Sequence, residues 1–239
     1  MKQIQYIIAE EIFALFPEYC RGVLFVKNVR NRESPAELIN IIREQENIIK
    51  EKYNLDNLLQ DERIDSWRNA YRKAGIKPGE FRPSIEAMLR RILKNQSLPS
   101  INALVDIGNY FSLKHLIPIG CHSLHDIRSD LSLRFAEGTE TFIPFGQNEA
   151  ENPAKGEIIF TNGVDIMTRR WTWRQSNHSI TSIDSRFVEF NLDGMNPIAK
   201  ETIEKIGTEM IDLLGRFVEF DSHTFEIITN EKPFILLEW

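Results

Sequence analysis

The sequence predicts an α+β fold: a helical N-terminal part, then a mostly antiparallel sheet with packed helices. Three observations carry this. Helix-start and helix-period patterns occupy the stretch from Ser34 to about Tyr110. Strand alternation and hairpin turns take over after residue 126, and a mixed tail closes the chain. The 239 residues are 42% hydrophobic, enough for one large domain, or one domain with a helical extension.

Taken in order, Ile4 to Val29 holds two short apolar segments, and the second, Gly22 to Val26, reads as a buried strand. Ser34-Pro35-Ala36-Glu37 then sets a helix start, with Ser at the N-cap, Pro at the first helical position and Glu three residues after the cap. Leu38, Ile41 and Ile42 carry that helix to about Lys52. Residues 56–75 are polar, then helical, ending at Ala74-Gly75 with Arg72 and Lys73 in the last turn. Another helix starts near Pro83, with Ile85, Met88, Leu89 and Ile92 on one stripe and Arg82, Arg90, Arg91 and Lys94 off it. The next runs from about Ser100.

Leu131 to Phe135 alternates as a strand, and Thr141 to Phe145 follows a turn at Glu137-Gly138. Ile158 to Met167 reads as a hairpin around Asn162-Gly163, a pair suited to the type I′ turn. The stretch "RRWTWRQS", Arg169 to Ser176, continues its second arm. Strand alternation would put Arg169, Trp171, Trp173 and Gln175 on one face and Arg170, Thr172 and Arg174 on the other. Phe187 to Phe190 is a further strand. Asn196-Pro197 opens a last helix, with Ile203, Ile206, Met210, Leu213 and Leu214 inward and Gly215 closing it, and Phe225 to Thr229 is a final strand. We divide the chain into an extension over 1–60 packed on the core and a main domain over 61–239.

Composition excludes several classes. The net charge of −6 argues against a general nucleic-acid sponge, whose footprint is basic, while leaving room for a local basic patch. Cys20 and Cys121 have no CxxC spacing, and His115, His122, His125 and His178 complete no zinc or iron motif, so neither metal nor cofactor is expected. No GxSxG, Walker loop or GxGxxG occurs. Apolar runs stay well short of 18 residues and the N-terminus is a poor signal peptide, so a cytoplasmic protein without a membrane partner is expected.

Three clusters carry chemistry. The tryptophan-arginine stretch offers rings for stacking and guanidinium groups for a carboxylate or phosphate, or one Trp plugs the core while the arginines pair with Asp184, Glu189 or Glu157. Residues 68–94 form the most basic span, either a solvated face or a phosphate surface. Asn102, Asp106 and Asn109 stand four and three apart on one helix side, to cap a neighbouring backbone or to line a pocket.

The run "INALVDIGNYFSL", from Ile101, resembles the asparagine-rich signature of the tRNA-binding and editing domain, the B3/4 domain, of the phenylalanyl-tRNA synthetase β subunit. That family shows N-x-x-V-D-x-T-N-Y with an upstream G-I-R-P. Here Gly75-Ile76-Lys77-Pro78 stands upstream, and the basic helix is inserted before the pattern resumes at Pro99. The resemblance spans about 65–195 and is specific around 101–118. It implies an editing-domain-like fold in a stand-alone relative, and hydrolysis in trans of amino acids wrongly esterified to tRNA. The alternative is a non-catalytic module for a tRNA end, a nucleotide or an amino acid.

Residue by residue, Asn109 matches the asparagine of T-N-Y, with Gly108 in place of the threonine. Glu189 in Phe187-Val188-Glu189-Phe190 matches the glutamate that reads the tyrosine hydroxyl. The family's histidine falls on Gly120, and His122 lies two residues beyond. The expected catalytic residues are therefore Asn109, His122 and Glu189. Asn102, Asp106, Arg169, Arg170, Trp171, Trp173 and Arg174 are the expected substrate contacts, and Arg82, Arg90, Arg91 and Lys94 the expected tRNA contacts.

Overall fold

The computed structural model describes residues 3–238 and shows an α+β fold with two sheets. The chain runs β1 (Gln3–Ile8), α1 (Glu10–Leu15), β2 (Cys20–Lys27), α2 (Ala36–Lys52), α3 (Glu62–Lys73), α4 (Ser84–Leu93), α5 (Ala103–His115) and β3 (Ile119–Ser123). It continues through β4 (Leu131–Phe135), β5 (Ile158–Asn162), β6 (Asp165–Arg169), β7 (Arg174–Gln175), β8 (Phe187–Gly194), α6 (Lys200–Phe217), β9 (Ser222–Ile228) and β10 (Phe234–Glu238). The larger sheet has the order β10-β1-β4-β5-β6-β7 and the smaller β3-β8-β2-β9. Every pairing is antiparallel except β1 with β4.

The smaller sheet is buried on both faces, which is why β2 reads as a continuous apolar run. Leu24 and Val26 of β2 and Val188, Phe190 and Leu192 of β8 pack on α5 and α6 through Leu104, Ile107, Phe111, Ile203 and Met210. The other face of β2 brings Val23 and Phe25 against the larger sheet, among Tyr6, Ile8, Leu133, Ile158 and Phe160. Helix α6 comes so close that a Cβ on Gly207 would stand 2.2 Å from the Phe225 ring, so glycine is required there for space. A third cluster, with Ile49, Ile64, Ile85, Leu89 and Leu113, ties α2 to α5 together. Among the described residues, no helix is long and apolar enough to cross a membrane.

The segment 1–60, read as an extension, contributes β1 and β2 to interior positions of the two sheets. Ser34 is not the cap of α2, whose N-cap is Pro35; its hydroxyl reaches Asp106 instead. The 158–169 hairpin forms one residue out of the expected register. Asn162 pairs with Asp165, so Gly163 and Val164 make the loop, with φ 61° at Gly163. Thr141, Phe142 and Pro144 make isolated bridges rather than a strand. Helix α6 passes Gly215 and ends at Phe217.

"RRWTWRQS" departs furthest from its expected form. β6 stops at Arg169, the next four residues turn, and pairing resumes at Arg174. Arg170 and Trp171 both adopt left-handed backbone, φ 45° and 64°. For non-glycine residues that costs about 1–2 kcal/mol each. Core packing holds the turn in place. Trp171 is buried with ring centroids 4.9 Å from Phe16 and 5.1 Å from both Tyr19 and Trp67. The Tyr71 hydroxyl donates to the Arg170 carbonyl at 2.8 Å.

Candidate active site

Residues paired across neighbouring strands project to the same side of a sheet. In the smaller sheet, His122 pairs with Glu189 and Glu189 with Phe25, Gly120 pairs with Asn191, and Arg21 pairs with Asp193. The period of two therefore gathers Arg21, Gly120, His122, Glu189, Asn191 and Asp193 on the face that meets the larger sheet. There a cavity of about 230 Å³ lies between the sheets. Arg21, Gly120, His122, Asn191 and Asp193 line it from one side and Phe160 and Thr168 from the other, while Trp171, Trp173 and Arg174 of the turn also face it.

Asp193 organises the charged groups. Its Oδ1 accepts from Arg21 Nε at 2.7 Å and from the Tyr19 hydroxyl at 2.5 Å, and its Oδ2 accepts from Asn191 Nδ2 at 3.0 Å. Arg21 Nη1 donates to the Tyr6 hydroxyl at 3.1 Å, and the guanidinium lies 5.1 Å from the Phe160 centroid. Four side-chain atoms of this face are buried without a hydrogen-bond partner: Arg21 Nη2, both Glu189 oxygens and Asn191 Oδ1. Buried polar atoms are nearly always bonded, so these four, gathered on one face, have bonding capacity that water or a guest would satisfy.

Electrostatics follow from burial. Burial pushes the Glu189 carboxyl up to about 8; Arg21 opposes this and Asp193 adds to it, so the acid is largely protonated at neutral pH. His122 moves the other way, down to about 3, through burial and then repulsion by Arg21, and it stays neutral. Its Nε2 is 3.9 Å from Glu189 and 3.4 Å from Thr168 Oγ1. Its Nδ1 is 3.2 Å from Gln175 Nε2, a nitrogen that also faces the carbonyls of Cys121 and Ser179. The two hydrogens of that amide go to the nearer carbonyls, and Ser179 Oγ, 3.1 Å from Nδ1, can donate to it or accept from it; when the hydroxyl donates, the proton sits on Nε2 and the ring points a neutral N–H towards the cavity. Burial raises the Cys121 thiol far out of the nucleophilic range.

Of the residues singled out in the sequence, His122, Trp171, Trp173 and Arg174 line the cavity, with Glu189 behind His122. Arg169 does not line it and is held by Glu157 and Glu151 at 2.8 and 2.7 Å. Arg170 lies over the Phe81 ring at 3.7 Å and over Trp173 at 4.6 Å. Asn102, Asp106 and Asn109 are likewise absent from the lining. Asn102 caps α5 through Val105 N and donates to the Thr181 carbonyl. Asp106 accepts from the hydroxyls of Ser34 and Ser100 and from Ile101 N.

On α4, buried Glu86 takes Arg90 at 2.7 Å and Arg68 at 2.8 Å, with Arg82 at 3.9 Å. Arg82, Arg90, Arg91 and Lys94 line an open surface groove of about 460 Å³. Arg82 lines the groove and Ser84, two residues on, lines the cavity. Among the described residues, no group of three or more His, Cys, Asp or Glu is placed to hold a metal ion.

Sequence reasoning missed Arg21, Asn191 and Asp193, together with Tyr6 and Tyr19 beside them. The signal was present in β8, where Glu189, Asn191 and Asp193 alternate with Val188, Phe190 and Leu192 in a strand buried on both faces. Polar residues at period two inside such a strand are costly without a purpose.

Comparison with known proteins agrees on the family. A family model described as the B3/4 domain matches residues 66–222. A solved structure of an N-terminal fragment of the phenylalanyl-tRNA synthetase beta-subunit from Pyrococcus horikoshii is similar at 13% identity and a TM-score of 0.43. The alignment covers 92% of this chain and 49% of that one, so the chain spans about half of the fragment's length. No curated protein matches. With the family model covering well over half of its residues, and with the synthetase-like asparagine signature inside the match, the chain belongs to the B3/4-domain family.

Proposed function

We propose that the cavity receives the aminoacyl end of a charged tRNA and that the chain hydrolyses the ester in trans. One observation carries the reading: a small hollow is lined by two buried side chains with hydrogen-bonding capacity to spare, Arg21 and Asn191, and the segment that reaches its rim at Ser84 also lines a groove of cations. The hollow is below the usual range of roughly 300–1,000 Å³ for drug-sized ligands, which suits an amino acid rather than a nucleotide. The groove supplies Arg91 and Lys94 for phosphates that follow the ester.

The chemistry asks little of the protein. Water attacks the ester carbonyl carbon, the bond to the ribose oxygen breaks, and the water's second proton ends on that oxygen, giving a free amino acid and uncharged tRNA. Arg21 Nη2 and the His122 Nε2–H are the donors available to the oxyanion, and donors of this kind are the largest single aid to acyl transfer. Glu189, buried behind His122 and outside the lining, does not touch the guest, and Asn109 takes no part either. The test is a panel of mischarged tRNAs incubated with the protein. Deacylation should exceed that in buffer for at least one of them; loss at the buffer rate throughout removes the hydrolase.

One observation favours a second reading, in which the cavity binds the aminoacyl end without cleaving it. Neither His122, held near 3, nor Glu189, held near 8, is a ready base at neutral pH. Saturable binding of charged tRNA without release of amino acid would select this reading.

A further inference from the structure

The clamp on Asp193 has two outward ends. Arg21 and Asn191 each spend one nitrogen on the same carboxylate, Arg21 Nε on Oδ1 and Asn191 Nδ2 on Oδ2. This fixes both side chains and leaves one donor, Arg21 Nη2, unbonded, and one acceptor, Asn191 Oδ1, with only the His122 ring beside it, so that a lone pair of Oδ1 stays open. Arg21 is 0% and Asn191 6% exposed, and both line the cavity. A donor and an acceptor oriented by one carboxylate match a ligand fragment that carries an acceptor and a donor a few bonds apart.

Gly120 keeps that acceptor open. A Cβ at position 120 would stand 2.3 Å from Asn191 Oδ1 and 2.8 Å from His122 Nε2, so any side chain would fill the space in front of both. No positive φ demands glycine here; the requirement is room. The charge balance then chooses the kind of donor. A guest at Asn191 Oδ1 meets the Arg21 guanidinium, already balanced by the Asp193 carboxylate, and near it the Glu189 carboxyl, which is protonated at neutral pH. An ammonium group can draw the proton off Glu189, because a nearby cation favours the ionised carboxylate, and so gains an anion that a neutral hydroxyl does not.

We propose that this floor is a head-group subsite for α-amino acids, in which the ligand's α-amine donates to Asn191 Oδ1 and its carbonyl oxygen accepts from Arg21 Nη2. The subsite recognises the atoms common to all aminoacyl groups, and the rings of Phe160, Trp171 and Trp173 are left to meet the side chain. This rests on the reading that an aminoacyl end enters the cavity, and it is independent of whether the ester is cleaved.

The test uses stable amide analogues of 3′-aminoacyl-adenosine, titrated calorimetrically into the full chain. The analogue that binds tightest is compared with its counterpart lacking the α-amine. In the wild type the deamino compound should bind about ten- to a hundredfold more weakly, the range expected for a hydrogen bond from a charged donor. Asn191→Leu should bind the two compounds within about twofold of each other, the discrimination gone. Gly120→Ala keeps every polar group and should weaken the amine-bearing analogue by about tenfold or more, which serves if Asn191→Leu does not fold.

Equal affinity of the two compounds for the wild type overturns the subsite, as does undiminished discrimination by Asn191→Leu or by Gly120→Ala. So does failure of every analogue to bind. Deacylation of mischarged tRNA is scored separately. Cleavage without amine discrimination sinks the subsite and spares the hydrolase; amine-dependent binding without cleavage does the reverse.

Discussion

Asp106 and Glu189 are both carboxylates withdrawn from water, at 1% and 0% exposure, and both were singled out from the sequence as site residues. Asp106, in the first turn of α5, accepts two hydroxyls and a backbone amide. Glu189, in the middle of β8, has only the Tyr6 hydroxyl near it as a donor and no partner at hydrogen-bonding distance. The first ties the loops around Ser34 and Ser100 to the start of α5, and its bonding leaves no opening for a ligand. The second has the same burial and none of the satisfaction, beside a hollow. Burial alone does not distinguish a structural carboxylate from a functional one; the state of its hydrogen bonds does.

The strongest test of that contrast is Arg21, the cation of the unsatisfied region. Arg21→Met leaves Asp193 buried beside Glu189 with its counter-ion gone. Breaking a buried pair from one side costs about 3–5 kcal/mol. Urea unfolding should show a loss of that size, and a loss below about 1 kcal/mol would mean the pair is solvated rather than buried.

Asp106→Ala should cost somewhat less, about 2–3 kcal/mol, because three donors lose a charged acceptor but two of them are serine hydroxyls that can turn elsewhere. Deacylation or ligand binding per folded molecule should be unchanged. A variant that keeps its stability and loses binding would move the N-terminal end of α5 into the site and end the distinction drawn here.

Glu189→Gln sharpens the contrast through pH. Folded Glu189 holds its proton up to about 8, whereas an ordinary glutamate releases it near 4.5. Between those values the unfolded chain has lost the proton and the folded chain retains it. Stability therefore falls as pH rises, on the order of 1.4 kcal/mol per pH unit. His122, held near 3 against an ordinary 6.5, gives the opposite slope over its own window: stability falls as pH drops from 6.5 towards 3. The two slopes cancel from 4.5 to 6.5 and leave a plateau there, followed by an alkaline decline to about 8. Melting curves of Glu189→Gln should lose the alkaline decline and keep the acid one. An unchanged decline would show that Glu189 ionises as freely as a satisfied carboxylate.

The fold class was legible because periodicity survives burial in the helices and in β4 and β8. Leu38, Ile42 and Ile49 face inward from α2, as Ile85, Leu89 and Ile92 do from α4. The site was half legible. His122 and Glu189 came from resemblance to a family, and Trp171, Trp173 and Arg174 from local composition. Arg21 and Asp193 lie 172 positions apart and meet only through strand register, which no local pattern shows. The misreading of "RRWTWRQS" as a strand has a local cause, since alternation takes no account of a left-handed turn at Arg170 and Trp171. That turn exists because Trp171 finds Phe16, Tyr19 and Trp67, which come from distant parts of the chain. The polar spacing of Asn102 and Asp106 was real, but a cap and a pocket wall use the same residues, and only the positions of Ser34, Ser100 and Thr181 separate them.

The same rule of satisfaction sorts the cations of α4, where the expected effects on stability are smallest. Glu86 already holds Arg90 and Arg68, while Arg91 makes one bond, to the Ser97 carbonyl, and Lys94 forms no ion pair among the described residues. Arg91→Gln and Lys94→Gln should each leave stability within about 0.5 kcal/mol. Each should also reduce the slope of log tRNA affinity against log salt by about 1 if that cation meets a phosphate. Arg90→Gln should do the opposite, costing about 1 kcal/mol of stability while leaving the salt slope alone. Filter binding of tRNA over a range of salt concentrations, beside urea melts of the three variants, separates them. If Arg90 carries the slope and Arg91 and Lys94 do not, the groove beside the cavity is a structural ion-pair network, and the phosphates of the incoming tRNA must lie elsewhere.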